Sequence, residues 1–146
     1  MTGHPDNLAA LDAWSALLHT ERALQDRIED DLKRAGLPPL DWYDVLQELE
    51  ISAEGALRQA ALQKSTQLAQ YNVCRLIDRL ERDGLVARMA CPVDARNNVV
   101  VITEKGRALR RQMLPVYGAA VDAHVGQHLS EAEAEQLRSI LAKLKR

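Results

Sequence analysis

Phenylalanine is absent from the 146 residues, leaving two tryptophans and three tyrosines as the aromatic complement. That makes Trp14 and Trp42 conspicuous. Cysteine is scarce, with only Cys74 and Cys91 and no Cys-x-x-Cys pair. Two isolated thiols read as reduced residues, not as a disulfide framework. No apolar run approaches the ~18 residues that a membrane helix needs. The opening Met-Thr-Gly-His-Pro-Asp lacks the basic segment and apolar core of a secretion signal, so the expected compartment is the cytoplasm. Catalytic signatures are missing too. No Ser/His/Asp arrangement, phosphate-cradling glycine motif or dense carboxylate pair occurs, so neither an enzyme nor a cofactor is expected. Repeats and low-complexity segments are absent.

What is present is charge, unevenly spread. The formal net charge is −2, but the stretch from Leu57 to Arg111 holds eleven basic and five acidic residues, a net +6. The rest of the chain carries −8. A basic middle between acidic flanks fits a lobe that binds a polyanion. The length suits one domain with a real core.

Apolar spacing predicts the elements. Leu8, Leu11, Trp14, Leu17, Leu18, Leu24, Ile28 and Leu32 recur at helical intervals, and Gly36 stops that helix. After Leu37-Pro-Pro-Leu, Asp41 is placed to cap a second helix, with Trp42, Val45, Leu46 and Leu49 inward to about Ile51. A short helix is expected from about Ala56 to Gln63, with Leu57, Ala61 and Leu62 inward. A tight turn at Lys64-Ser-Thr follows, then a helix from about Gln67 to Asp83 ended by Gly84. Val86–Ala90 and Asn98–Ile102 read as strands of one hairpin. Thr103 can cap a long helix to about His128, bent where Pro115 and Gly118 fall. Ser130 and Glu133 form a capping-box pair for the last helix, which has Leu137, Ile140, Leu141 and Leu144 on its apolar side.

A basic helix followed by a hairpin is a way of holding double-stranded DNA. The helix would enter the major groove with polar side chains near its N-terminus: Gln67, Gln70, Tyr71, Asn72 and Arg75. Gln or Asn pairs with adenine and Arg with guanine. Arg79 and Arg82 lie further along, facing phosphate or an intramolecular acid.

The segment Arg75-Leu-Ile-Asp-Arg-Leu-Glu-Arg-Asp-Gly-Leu-Val-Ala-Arg88, with Pro92-Val-Asp-Ala-Arg96 and Ile102-Thr-Glu-Lys-Gly-Arg107, resembles the MarR family of winged-helix transcriptional regulators. The resemblance extends over nearly the whole chain, and its specific part is about thirty-five residues from Asn72. It implies a mainly α fold: a winged helix-turn-helix lobe (37–104) with one β-hairpin wing, and long dimerisation helices (7–36 and 105–146), all in one domain. It implies a homodimer on a palindromic operator, usually a repressor, and often a small aromatic effector. Arg96 would sit in the minor groove, where negative potential concentrates, and Asp94 would steady a wing arginine, with Arg88 as its partner. The chain departs from the family before Asn72. Ala69 stands where a capping serine is frequent, and Gln63, Thr66 and Cys74 replace other usual residues.

By the same resemblance Trp14, His19, Trp42 and Asp44 are candidates to line the effector pocket. His124 and His128 have metal-ligand spacing, but no acidic or cysteine cluster completes a site, so no metal is expected. Two alternatives stand beside a ligand-responsive regulator. One is a thiol-based redox regulator using Cys74 or Cys91, which Arg75 and Arg88 would keep near positive charge. The other is a winged helix that binds protein without specific DNA recognition.

Overall fold

The structure is a computed structural model that describes residues 7–66, 70–94 and 97–145; for Gln70 and Tyr71 the description covers the backbone alone. Among the described residues, six helices and three strands follow in the order α1 (Leu8–Arg34), α2 (Leu40–Ile51), β1 (Ala56–Arg58), α3 (Gln59–Thr66), α4 (Gln70–Arg82), β2 (Val86–Met89), β3 (Val99–Ile102), α5 (Glu104–His124) and α6 (Glu131–Leu144). Single 3₁₀ turns occupy Ala53–Gly55 and Gly126–His128. No described helix is long and apolar enough to cross a membrane.

The chain divides into two compact units, Leu32–Val116 and the residues that precede and follow it. In the first unit, α2, α3, α4 and the sheet enclose an aliphatic core. Leu46, Leu49, Leu62, Ile77, Leu80 and Val100 have no exposed surface, and Trp42, Leu57 and Leu109 pack against that cluster. Each such side chain contributes about 1.5–3 kcal/mol by leaving water. In the second unit His124 Nε2 on α5 lies 3.0 Å from Asp31 Oδ2 on α1. Helix α6 opens with the expected capping box: Ser130 Oγ accepts from Glu133 N, and Glu133 Oε1 accepts from Ser130 N.

Several local expectations are met. Gly36 and Gly84 take positive φ, +74° and +77°, after α1 and α4. Other expectations are corrected. The segment from Ala56 does not begin a helix. Ala56–Arg58 is a strand whose partners on β3 are Val101, Val100 and Val99, giving an antiparallel sheet of order β1-β3-β2. Pairing satisfies the second edge of β3, a non-local gain that overrides helix propensity. The chain reaches that edge through Glu54 and Gly55, both at positive φ. Lys64, Ser65 and Thr66 are not a turn but the end of α3, with Ser65 Oγ and Thr66 Oγ1 both donating to Leu62 O. Helix α2 begins two residues early, at Leu40, with Pro39 in the cap position, so Asp41 is a first-turn residue and makes no cap. Helix α5 stays helical through Pro115 and Gly118 and ends at His124, short of His128.

The join between α4 and α5 explains the Thr-Glu-Lys-Gly run. Thr103 Oγ1 donates to Gly84 O (2.7 Å) and accepts from Gly106 N (3.1 Å). Lys105 Nζ donates to Asp83 O at 2.6 Å. Gly106 lies so close that a Cβ there would be 2.2 Å from Leu85 O and 2.9 Å from Ile102 Cγ1. Leu85 O is itself bonded by Thr103 N at 3.1 Å, so it cannot yield freely. Gly106→Ala is therefore expected to destabilise the protein by about 1–3 kcal/mol, the usual cost of overpacking. Urea unfolding checks this; an unchanged midpoint would contradict the close approach.

Candidate nucleic-acid interface

Helix α4 has two faces. Val73, Leu76, Ile77 and Leu80 are buried, while Asn72, Arg75, Asp78, Arg79, Glu81 and Arg82 are exposed. Burying one stripe fixes the helix's rotation and so presents the polar stripe outward. Asn72, Arg75 and Arg79 come together with Leu76 and Asp41 around a hollow of about 200 Å³. Gln67 and Arg96 lie outside the described residues. Gln70 and Tyr71 open α4, and their side chains are likewise outside the description.

Asp41 is a participant that sequence reasoning assigned elsewhere. Its Oδ1 is buried without a hydrogen-bond partner. Burial pushes its carboxyl up from the ordinary 3.8, against the downward pull of the Trp42 N–H and the Arg79 charge. An acid thus flanks the basic stripe from α2. The only sequence signal for it was an aspartate in a helix's first turn.

The wing is built on β2 and β3, paired from Val86↔Ile102 to Met89↔Val99. Cys91 N donates to Asn98 Oδ1 (2.7 Å) across its base, and Asn97 N donates to Asp94 O (2.9 Å) nearer the tip. The Cys91 thiol is pulled below its ordinary value by the backbone N–H groups of Asp94 and Val93, with a smaller contribution from Arg58. Val93 is 92% exposed. Arg88 reaches back to α4: Nη2 lies 2.8 Å from Asp78 Oδ1 and Nη1 3.8 Å from Glu81 Oε1. On α4 itself, Cys74 is half-buried and its Sγ accepts from Nε2 of buried Gln59 on α3 at 2.8 Å.

The remaining candidates divide between the units. Trp14 and His19 are exposed on α1, and Ser15 Oγ lies 3.3 Å from His19 Nδ1. Trp42, half-buried on α2, lines a cleft of about 560 Å³ with Pro38, Arg82, Lys105, Leu109 and Gln112 among its walls. Asp44 is exposed on the same helix. His124 is engaged with Asp31, His128 is exposed, and no metal-binding cluster occurs among the described residues.

These features define a winged helix-turn-helix protein. Comparison with known proteins shows what it is similar to. A model of the MarR family matches residues 35–97. The transcriptional regulator MhqR of Bacillus subtilis is 28% identical over 135 residues, covering 92% of this chain and 90% of MhqR. The crystal structure of AbsC, a MarR family transcriptional regulator of Streptomyces coelicolor, is 27% identical with a TM-score of 0.81, covering 99% of this chain and 95% of AbsC. Sco3205, a MarR family regulator from the same organism crystallised with DNA, shares the fold with a TM-score of 0.85 at 24% identity, covering 98% of this chain and 91% of its own. The chain is similar over nearly its whole length to MarR family transcriptional regulators, and the family model itself matches residues 35–97.

The raised Asp41 carboxyl has a consequence for stability. A raised carboxyl binds its proton more tightly in the folded state, so its contribution is full below pH 3.8 and fades as pH rises through the folded value. Asp41→Asn removes that loss. Urea titrations are expected to show the variant gaining on the native protein between pH 4 and pH 7; a gain that shrinks with pH would contradict the assignment.

Proposed function

We propose that this protein is a homodimeric repressor, active in the cytoplasm, that binds a palindromic double-stranded DNA operator and is released from it by a small aromatic ligand. The observation that carries the reading is the basic face of α4, where Asn72, Arg75 and Arg79 are exposed opposite a fully buried apolar stripe. Asn72 and Arg75, with Gln67, Gln70 and Tyr71, would read bases in the major groove. Arg79 would meet phosphate, and Arg96, with Asp94 in the wing, would enter the minor groove. That Sco3205, sharing this fold, was crystallised in complex with DNA supports the same use here.

Dimer formation is supported by apolar surface that one chain leaves uncovered. Leu8 and Trp14 on α1 are 65% and 60% exposed, and Ile140 and Leu144 on α6 are 56% and 71% exposed. Large exposed apolar side chains in this number suit an interface, and a second copy would supply the two-fold symmetry of a palindrome. For the effector, Trp42 with Leu109 offers apolar wall, and Arg82 with Lys105 offers positive charge for an acidic aromatic compound. Trp14, His19 and Asp44 remain candidates for the same role. A thiol-based response is a second reading, favoured by the lowered Cys91 thiol.

Fragments selected from genomic DNA by the native protein supply the operator. Binding to it is expected to weaken steeply with salt, because basic side chains displace condensed counterions. Arg75→Ala is expected to cost about 1–3 kcal/mol of operator affinity and relax the preference at one base pair. Arg96→Ala should weaken binding as well. Absence of a specific complex at any ionic strength would overturn the reading.

A further inference from the structure

We infer that Arg88 is a positioning residue, an ionic strut that sets the wing against the recognition helix, and that it does not contact DNA phosphate. This rests on the operator-binding reading above but makes a separate claim about the free protein. Strand β2 alternates: Val86 is buried and Arg88 half-buried, while Ala87 and Met89 are exposed. Successive side chains of a strand point to opposite faces, so Arg88 shares the core-facing side with Val86. Its cross-strand neighbour is Val100, which has no exposed surface. The guanidinium therefore leaves the sheet on the side occupied by α4, at the margin of the core.

There it meets two carboxylates one helical turn apart. Asp78 and Glu81, spaced i, i+3, lie on one side of α4. Nη2 reaches Asp78 at 2.8 Å and Nη1 lies 3.8 Å from Glu81. The Arg88 side chain is 20% exposed, against 55% for Asp78 and 43% for Glu81. Its Nε is buried without a partner. An arginine serving phosphate would be expected extended and wet; this one is folded inward with its charge spent on the helix.

The two acids also need it. A recognition helix carrying uncompensated carboxylates would repel the phosphates beside the groove it enters. Arg88 neutralises them from the side of the protein and, in doing so, links the root of the wing to the middle of α4. The base-reading face and the wing then move as one piece.

The test is a charge-reversal cycle, read first in the free protein by urea unfolding and then on the operator fragment selected by the native protein. Asp78→Arg is expected to destabilise the native protein, by bringing two cations together, and to stabilise the Arg88→Glu variant. On the operator the same sign change is expected: Arg88→Glu weakens binding about tenfold or more, and adding Asp78→Arg recovers most of it. Arg88→Gln should weaken binding while leaving the slope of log affinity against log salt unchanged, whereas loss of a phosphate contact lowers that slope by about one. Asp78→Arg acting with the same sign in both backgrounds, or a slope that falls by one in Arg88→Gln, overturns the strut. If the native protein selects no operator, the operator reading fails and the unfolding cycle still decides whether the strut exists.

Discussion

The turn that closes the recognition helix is held by the first turn of the helix that follows the wing. Thr103 and Lys105 bond Gly84 O and Asp83 O, and Gly106 lies against Leu85 O. A lysine ammonium at a helix C-terminus is favourable both as a hydrogen-bond donor and against the helix dipole. The contact fixes where α4 ends and how far α5 stands from it. With Val73, Leu76, Ile77 and Leu80 buried along one side, rotation is fixed as well. What α4 offers outward follows from these two constraints and not from the polar residues themselves.

Around that fixed helix the charges are arranged in opposition. Asp41 on α2 flanks Arg75 and Arg79, and Arg88 on β2 meets Asp78 and Glu81. The lobe is basic overall, yet each side of its recognition helix includes an acid or an acid's partner. Other ionic contacts brace the scaffold behind it. Arg107 on α5 pairs with Glu50 on α2, and Arg110 Nε donates to Gln47 Oε1 at 2.7 Å. Against this braced scaffold Asn72, Arg75 and Arg79 are exposed on α4, the positions at which the proposed operator would be read.

Features governed by neighbours in sequence were legible in it. The apolar stripe of α4, the glycine after it, the β-branched run of β3 and the Ser130–Glu133 box all depend on spacings of a few residues, and all appear where that spacing put them. Features governed by distant partners were not. Ala56–Arg58 became a strand because β3 had a free edge some forty residues later. Asp41 lost its capping role when α2 began at Leu40, and gained a place beside the α4 arginines. Arg88 meets Asp78 and Glu81 on α4, ten and seven residues upstream, a contact the sequence pattern does not record. In each case the deciding contact was tertiary, and a one-dimensional pattern carries no record of it.

The central claim is that two copies of this helix read two copies of a DNA half-site. Footprinting the native protein on its selected fragment tests that most directly. The account predicts two equivalent protected half-sites related by a dyad, their centres about one helical turn of ~10–10.5 base pairs, or a whole multiple of it, apart. A single unpaired half-site, or uniform protection indifferent to sequence, would contradict it.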